Sequence, residues 1–241
     1  ASGLLQADFH VPSRGLGSER DLWEFLGHVA RLTRTYAGTS VAARLRSMLH
    51  LLVPTDPSWA SAAESDLDGL LMDHAHCELK AATAALSLIA RYAGEMSNHV
   101  DALVALAREE TAHFHEVHQK LTARGNKLGL PRVDEYVSAL RAAARTDHKD
   151  HPVLLDRLLV SALIEARSCE RFQVLSEHLS SAELRGFYRA LMASEARHFR
   201  LFYDLASESF GEAETRSRLE TLAMREANVA GALPLGPTVL G

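Results

Sequence analysis

Two cysteines in 241 residues are too few to build a disulfide framework. Cys77 and Cys169 stand far apart, each inside a strongly helical stretch, and read as reduced residues of a cytoplasmic protein. Glycine and proline are sparse through the middle and gather towards the two ends. No stretch alternates with period two over a useful length, which argues against a sheet. No apolar run approaches the ~20 residues of a membrane span, and no signal peptide is visible at the start of the chain, so no membrane partner is expected. An excess of cations is missing as well. With 26 Lys and Arg against 31 Asp and Glu, the net charge is −5. That excludes a protein that wraps nucleic acid by bulk electrostatics, but leaves room for a local basic face.

Ala, Leu, Arg and Glu dominate what remains, the composition of long helices, and the length suffices for a large unstapled core. Apolar spacing predicts one or two amphipathic helices over residues 18–52 (Leu22, Phe25, Leu26, Val29, Leu32, then Val41, Leu45, Met48, Leu49). Pro54 and Pro57 break that pattern. Long helices are predicted over 60–92, stopped at Gly94, and over 97–124, capped by Ser97 and stopped at Gly125. A loop over 126–132 and a shorter helix over 134–145 follow. The third and fourth long helices are predicted over 153–179 and 182–209. Ser180 and Glu183 form a capping box between them, and Gly211 ends the second. A last helix over 213–229 precedes a Gly/Pro-containing tail expected to be an extended strap. Two long-helix hairpins joined by a crossover make an all-α, ferritin-like four-helix bundle with extra N-terminal, crossover and C-terminal helices. Residues 1–54 are expected to be an N-terminal helical extension, and 55–241 the bundle domain.

Glu-x-x-His occurs as Glu110-Thr-Ala-His113 and as Glu195-Ala-Arg-His198. On a helix, residues i and i+3 share a face, so one Glu and one His can hold one ion together. Each motif sits mid-helix, opposite an antiparallel helix with a Glu at matching height. Glu78 lies about seventeen residues before the first turn and Glu110 about fifteen after it, at ~1.5 Å per residue. Glu165 and Glu195 stand about fifteen residues either side of the second turn, near Ser180, so the same rise brings them level. Glu170 competes with Glu165, because Cys169-Glu170 echoes Cys77-Glu78. It falls ~7.5 Å out of level and about 140° round the helix, so spacing favours Glu165. Four acids on core-forming helices are costly without a cation. Four carboxylates with two imidazoles suit iron or manganese.

Other candidates carry weaker signals. Asp73-x-x-His76 has the spacing without a partner helix position. His74 reads as a residue supporting Glu78 or as plain core, and Glu109 as support for a ligand His or as solvated. His115, His118, His148 and His151 read as surface.

The runs Leu71-Met-Asp-His-Ala-His-Cys-Glu78, Ala107-Arg-Glu-Glu-Thr-Ala-His-Phe114, Leu163-Ile-Glu-Ala-Arg-Ser-Cys-Glu-Arg-Phe172 and Ser194-Glu-Ala-Arg-His-Phe199 resemble the MiaE family over about residues 55–227. These are tRNA hydroxylases that act on 2-methylthio-N6-isopentenyladenosine beside the anticodon. The resemblance implies six iron ligands, Glu78, Glu110, His113, Glu165, Glu195 and His198, holding two iron ions. It also implies O2 as co-substrate, hydroxylation of the isopentenyl group, a tRNA partner and an electron-donating redox protein. A monomer is favoured. Residues 119–172 carry more Lys and Arg than Asp and Glu. Lys127, Arg132, Arg167 and Arg171 are the cations there expected to meet phosphate. Iron storage or detoxification, and a di-metal oxidase acting on a small molecule, are the competing readings.

Overall fold

The computed structural model describes residues 41–147 and 150–240, and every regular element among them is helical. α1 (Val41–Met48) and α2 (Trp59–Ser65) lead into the long helices α3 (Leu67–Tyr92) and α4 (Val100–Ala123). α5 (Glu135–Ala144) lies in the crossover. The long helices α6 (Val153–His178) and α7 (Ala182–Phe210) follow, then α8 (Glu212–Ala232). α3 packs along α4, α6 packs along α7, and α8 lies against α5, α6 and α7. No described helix is long and apolar enough to cross a membrane. Leu22, Phe25, Leu26, Val29 and Leu32, with most of the expected 1–54 extension, lie outside the described residues. Of that extension, α1 is described, and it packs on α6.

Local chemistry places the helix ends close to where spacing predicts them. Asp134 caps α5, its carboxylate accepting from the Val137 amide at 2.9 Å. Gly125, at φ +83°, takes the left-handed conformation that ends α4, and the Asn126 amide returns to the Leu121 carbonyl. Three expectations shift. Ser97 forms no capping bond and opens a short 3-10 turn, Ser97–His99, ahead of α4. The single helix predicted over 60–92 is broken at Asp66, whose carboxylate caps α3 by accepting from Gly69 N at 3.0 Å. The cap of α7 is Ser181, bonded to the Leu184 amide at 3.3 Å. Ser180 instead binds Glu64, and Glu183 pairs with Lys120.

α6 is the axis of the molecule. Most of its 26 residues are buried, with an almost unbroken run from Ala162 to Ser176. An isolated bundle would leave one side of such a helix wet. Here α1, α2 and α8 all pack on α6, and the C-terminal tail is tied to it: Arg171 Nη1 donates to the Val239 carbonyl at 2.6 Å. The tail is further fixed by Val239 N to Asp73 Oδ2 at 2.7 Å and by Trp59 Nε1 to the Gly236 carbonyl at 2.9 Å. This is the predicted strap.

Arg167 and Glu170 on the covered face are paired internally. Arg167 donates from Nε and Nη2 to Glu226 at 2.9 and 3.1 Å, and from Nη1 to Glu170 at 3.1 Å and the Val53 carbonyl at 3.1 Å. Glu170 also accepts from Thr55 N and Oγ1 at 2.8 and 2.6 Å. Tyr136 Oη donates to Glu226 at 2.9 Å. One guanidinium thus joins α5, α6, α8 and the segment before α2. Replacing Arg167 by Met leaves two buried carboxylates uncompensated and should cost about 3–5 kcal/mol. Denaturant titration should show a lower midpoint at unchanged slope, and a loss below about 1 kcal/mol would contradict this role.

Candidate metal centre

The four long helices deliver one carboxylate each to the middle of the bundle. Glu78 comes from α3, Glu110 from α4, Glu165 from α6 and Glu195 from α7. His113 and His198 follow their glutamates by three residues on the same helix faces. All six side chains are buried. Their ligand atoms form two groups, each with its members within 4.8 Å of one another: Glu78, Glu110, His113 and Glu195 in one, and Glu110, Glu165, Glu195 and His198 in the other. Glu110 and Glu195 belong to both. The two Glu-x-x-His glutamates therefore lie between two positions, each completed by one histidine and one further glutamate.

The Nδ1 atoms point into the cluster. His113 Nδ1 is 3.2 Å from Glu110 and 3.8 Å from Glu78. His198 Nδ1 is 2.9 Å from Glu110, 3.9 Å from Glu165 and 4.0 Å from Glu195. Polar atoms here are left over: Glu110 Oε1, Glu195 Oε1 and both ring nitrogens of His198 are buried without an aligned hydrogen-bond partner. Buried polar groups are normally satisfied, and four clustered orphans around carboxylates describe a place for cations.

Electrostatics agree. Burial, with the Glu110 charge beside it, pushes the Glu165 carboxyl up to about 7. Burial and the Glu165 charge raise Glu195 well above its ordinary value. The imidazoles respond oppositely. Burial works against their charge, but the surrounding carboxylates outweigh it and lift His113 to about 9 and His198 to about 10. Burial likewise opposes the charge on Glu78, and His113 and His74 outweigh it, holding that carboxyl far below its usual range. The cluster as a whole calls for positive charge. Two divalent cations with oxygen and imidazole ligands meet that demand, so the residues present fit a di-metal site.

The surroundings settle the weaker candidates. His74 is wholly buried and its Nε2 lies 2.7 Å from Glu78 Oε1. Its Nδ1 faces Tyr188 Oη at 3.4 Å, with the Phe172 ring at 4.8 Å. Tyr188 left no signal in the sequence, since an aromatic at a core position of an amphipathic helix reads as packing. Glu109 faces the histidines' outer edges, 3.2 Å from His198 Nε2. Glu170 is held by Thr55 and Arg167, away from the cluster. Asp73 holds Val239, and His76 meets the Gly129 carbonyl at 2.9 Å. His115 is exposed, His118 stacks on Phe114, and His151 lies 3.3 Å from Glu214 at the surface; His148 lies outside the described residues.

Of the four cations expected to meet phosphate, Lys127 and Arg132 are exposed in the loop between α4 and α5. Arg167 and Arg171 are not. Arg167 is bound inside the protein by Glu226 and Glu170, and Arg171 is buried, with its guanidinium 5.1 Å above the Trp59 ring. Phosphate cannot reach either. α8 and the tail cover the face of α6 that helical periodicity alone leaves open.

A cleft of about 530 Å³ opens between the hairpins at the end of the bundle where α7 begins. Leu71, Leu184 and Phe187 line it, and Lys120 and Arg124 stand at its edge. Phe187 leads inward to Tyr188 and His74, with ring centroids 5.2 and 6.2 Å away, and so to Glu78.

Comparison with known proteins gives a consistent answer. Residues 43–235 match the family described as tRNA-(MS[2]IO[6]A)-hydroxylase (MiaE). A tRNA 2-(methylsulfanyl)-N(6)-isopentenyladenosine(37) hydroxylase of Pseudomonas putida is 42% identical over 177 residues, covering 72% of this chain and 82% of that protein. The like-named hydroxylase of Salmonella typhimurium is 30% identical over 207 residues, covering 66% of this chain and 76% of that one. Among solved structures, a Synechococcus protein described as having aldehyde deformylating oxygenase activity superposes with a TM-score of 0.72 at 38% identity, over 79% of this chain and 95% of its own. The shared helical bundle, the buried Glu and His cluster and the match across most of its length place this chain in the MiaE family.

Proposed function

We propose that the protein is an O2-dependent di-iron monooxygenase that hydroxylates the isopentenyl group of 2-methylthio-N6-isopentenyladenosine in tRNA. The observation that carries this is the pair of buried Glu and His groups sharing Glu110 and Glu195, read together with family membership and two tRNA hydroxylase relatives. Glu78 and His113 would hold one iron, Glu165 and His198 the other, and Glu110 and Glu195 both. The bound irons supply the oxidising power that cleavage of an unactivated C–H bond requires, and which no side chain has. The chain's own residues exclude water, fix the ligands and receive the substrate. The reaction consumes O2, two electrons and two protons, placing one oxygen in the product and one in water. A separate electron-donating redox protein is part of this reading.

The cleft beside Phe187 offers an apolar floor suited to an isopentenyl chain, and the cations at its rim, Lys120 and Arg124, are paired with Glu183 and Asp68. Lys127 and Arg132 are exposed cations of the following loop. Ferritin-like storage would leave this cleft without a purpose.

Anaerobic reconstitution should load about two irons per chain. Glu165→Ala should lose at least one of them and all hydroxylation, while Glu170→Ala should keep both irons and lose stability instead. The reverse pattern would move the ligand to Glu170. Mass spectrometry of nucleosides should show the modified adenosine one oxygen heavier after incubation of the iron-loaded protein with tRNA, O2 and a reductant. Unchanged tRNA under those conditions would contradict the activity. Charge reversal at Lys127 and Arg132 should weaken tRNA binding, and the slope of log affinity against log salt should fall by about one for each phosphate no longer neutralised. Iron loading should not change, and an unaltered slope would make this loop a bystander.

A further inference from the structure

Leu130 is 90% exposed and Val133 79%, the two most exposed large apolar side chains among the described residues. Apolar residues scattered singly over a surface are ordinary, but these two share one short loop, 125–133, between α4 and α5. That loop carries Lys127 and Arg132 and no acid. Both cations are exposed, and neither has an ion-pair partner among the described residues. The way the loop is pinned keeps the apolar pair outside. Gly125 at φ +83° turns the chain out of α4. Leu128 packs on the cluster of Leu71, Ala75, Val117 and Leu121. The Gly129 carbonyl meets His76 of α3 at 2.9 Å, and a Cβ on Gly129 would stand 3.0 Å from Met72 Sδ. Asp134 closes the loop, capping α5 and pairing with Lys80 of α3 at 3.3 Å. Pro131 fixes its own φ and bars Leu130 from helical backbone. The inward positions are taken, and Leu130 and Val133 are held facing solvent.

The same loop is rooted in the wall of the cleft. Leu71, on which Leu128 packs, also lines the cleft, and Phe187 rests on the same cluster. A base stacked in an RNA loop cannot enter a cleft until it leaves its neighbours, and unstacking is costly. Proteins that open a stack offset that cost by pushing an apolar side chain into the gap. We propose that Leu130 and Val133 form such a wedge. They dock in the anticodon loop beside the modified adenosine and cover the base faces that its departure exposes, while Lys127 and Arg132 neutralise the phosphates alongside. This rests on the tRNA hydroxylase reading above and names the surface that opens its substrate. An apolar patch on another protein would also accept Leu130 and Val133. The cations decide for RNA: Lys127 stands before Leu130 and Arg132 beside Val133, so apolar contact and unpaired positive charge alternate along one loop. Single-stranded RNA alternates in the same way, with apolar base faces on an anionic backbone.

An anticodon stem–loop RNA with 2-aminopurine as the neighbour of the modified adenosine reports loss of stacking as a rise in fluorescence. Wild type should brighten it several-fold on binding. L130S/V133S removes no buried contact, so thermal stability and iron loading should stay as in wild type. The double variant should bind about tenfold more weakly at every salt concentration and lose most of the brightening. It removes no phosphate contact, so the slope of log affinity against log salt should not change. L130M, which keeps an apolar side chain of similar volume, should retain both affinity and brightening. Equal affinity and brightening in L130S/V133S and wild type, or tight wild-type binding without brightening, would overturn the wedge and leave the hydroxylase reading standing. So would a double variant that binds the RNA normally and turns over slowly only when a redox protein, rather than dithionite, supplies the electrons. The apolar pair would then be a docking point for that protein. Wild type that neither binds the RNA nor hydroxylates tRNA would overturn the hydroxylase reading itself.

Discussion

Four carboxylates converge inside a helical bundle with two imidazoles among them, and the rest of the fold accommodates that concentration of charge. Moving one ionised carboxylate out of water costs several kcal/mol even after the protein relaxes. Helix propensity cannot offset four of them. Without cations the cluster draws in protons, raising His113, His198 and Glu165 into or above the neutral range. Cations at the two shared positions satisfy the same demand without protonating the ligands. The orphaned oxygens of Glu110 and Glu195 then gain partners.

Holding the six side chains of the cluster in place needs a rigid frame, and α6 provides it. Its burial on every side removes the freedom that a half-exposed helix has. The Arg167–Glu226–Glu170 network then ties it to α5, α8 and the segment at Thr55. A second clamp acts at the other end of α6, where Arg218 binds Asp156 at 2.7 Å and Asp147 at 2.8 Å. These charges resemble a binding surface when seen only as letters. In the fold they are structural, and Arg167 and Arg171 belong with them. The cations left for a polyanion are those outside this frame, Lys127 and Arg132 among them.

Much of the site was legible in the sequence, because ligand spacing on helices is arithmetic. The i, i+3 pairs and their distances from the two turns suffice to bring Glu78, Glu110, Glu165 and Glu195 level. The same rise per residue separates Glu165 from Glu170, and the structure places Glu170 against Thr55 and Arg167. What spacing cannot report is what covers a helix. The polar side of α6 is closed by α8 and a strap some sixty residues further along the chain, and local periodicity carries no trace of either. The break at Asp66 escaped because a capping aspartate within a helical composition reads as one more helix residue. Glu109 was visible only as an ambiguity. Its approach to the histidines depends on the packing distance between α4 and α7, which no spacing within one helix fixes.

If the buried acids are there to hold two metal ions, the location of those ions is a more direct test than their stoichiometry. Crystals of anaerobically iron-loaded protein, measured at the iron absorption edge, should give two anomalous peaks about 3.5–4 Å apart in the bundle core. One should be contacted by Glu78 and His113, the other by Glu165 and His198, with Glu110 and Glu195 reaching both. A single peak, peaks on surface histidines, or an empty core surrounded by protonated carboxyls would contradict the account.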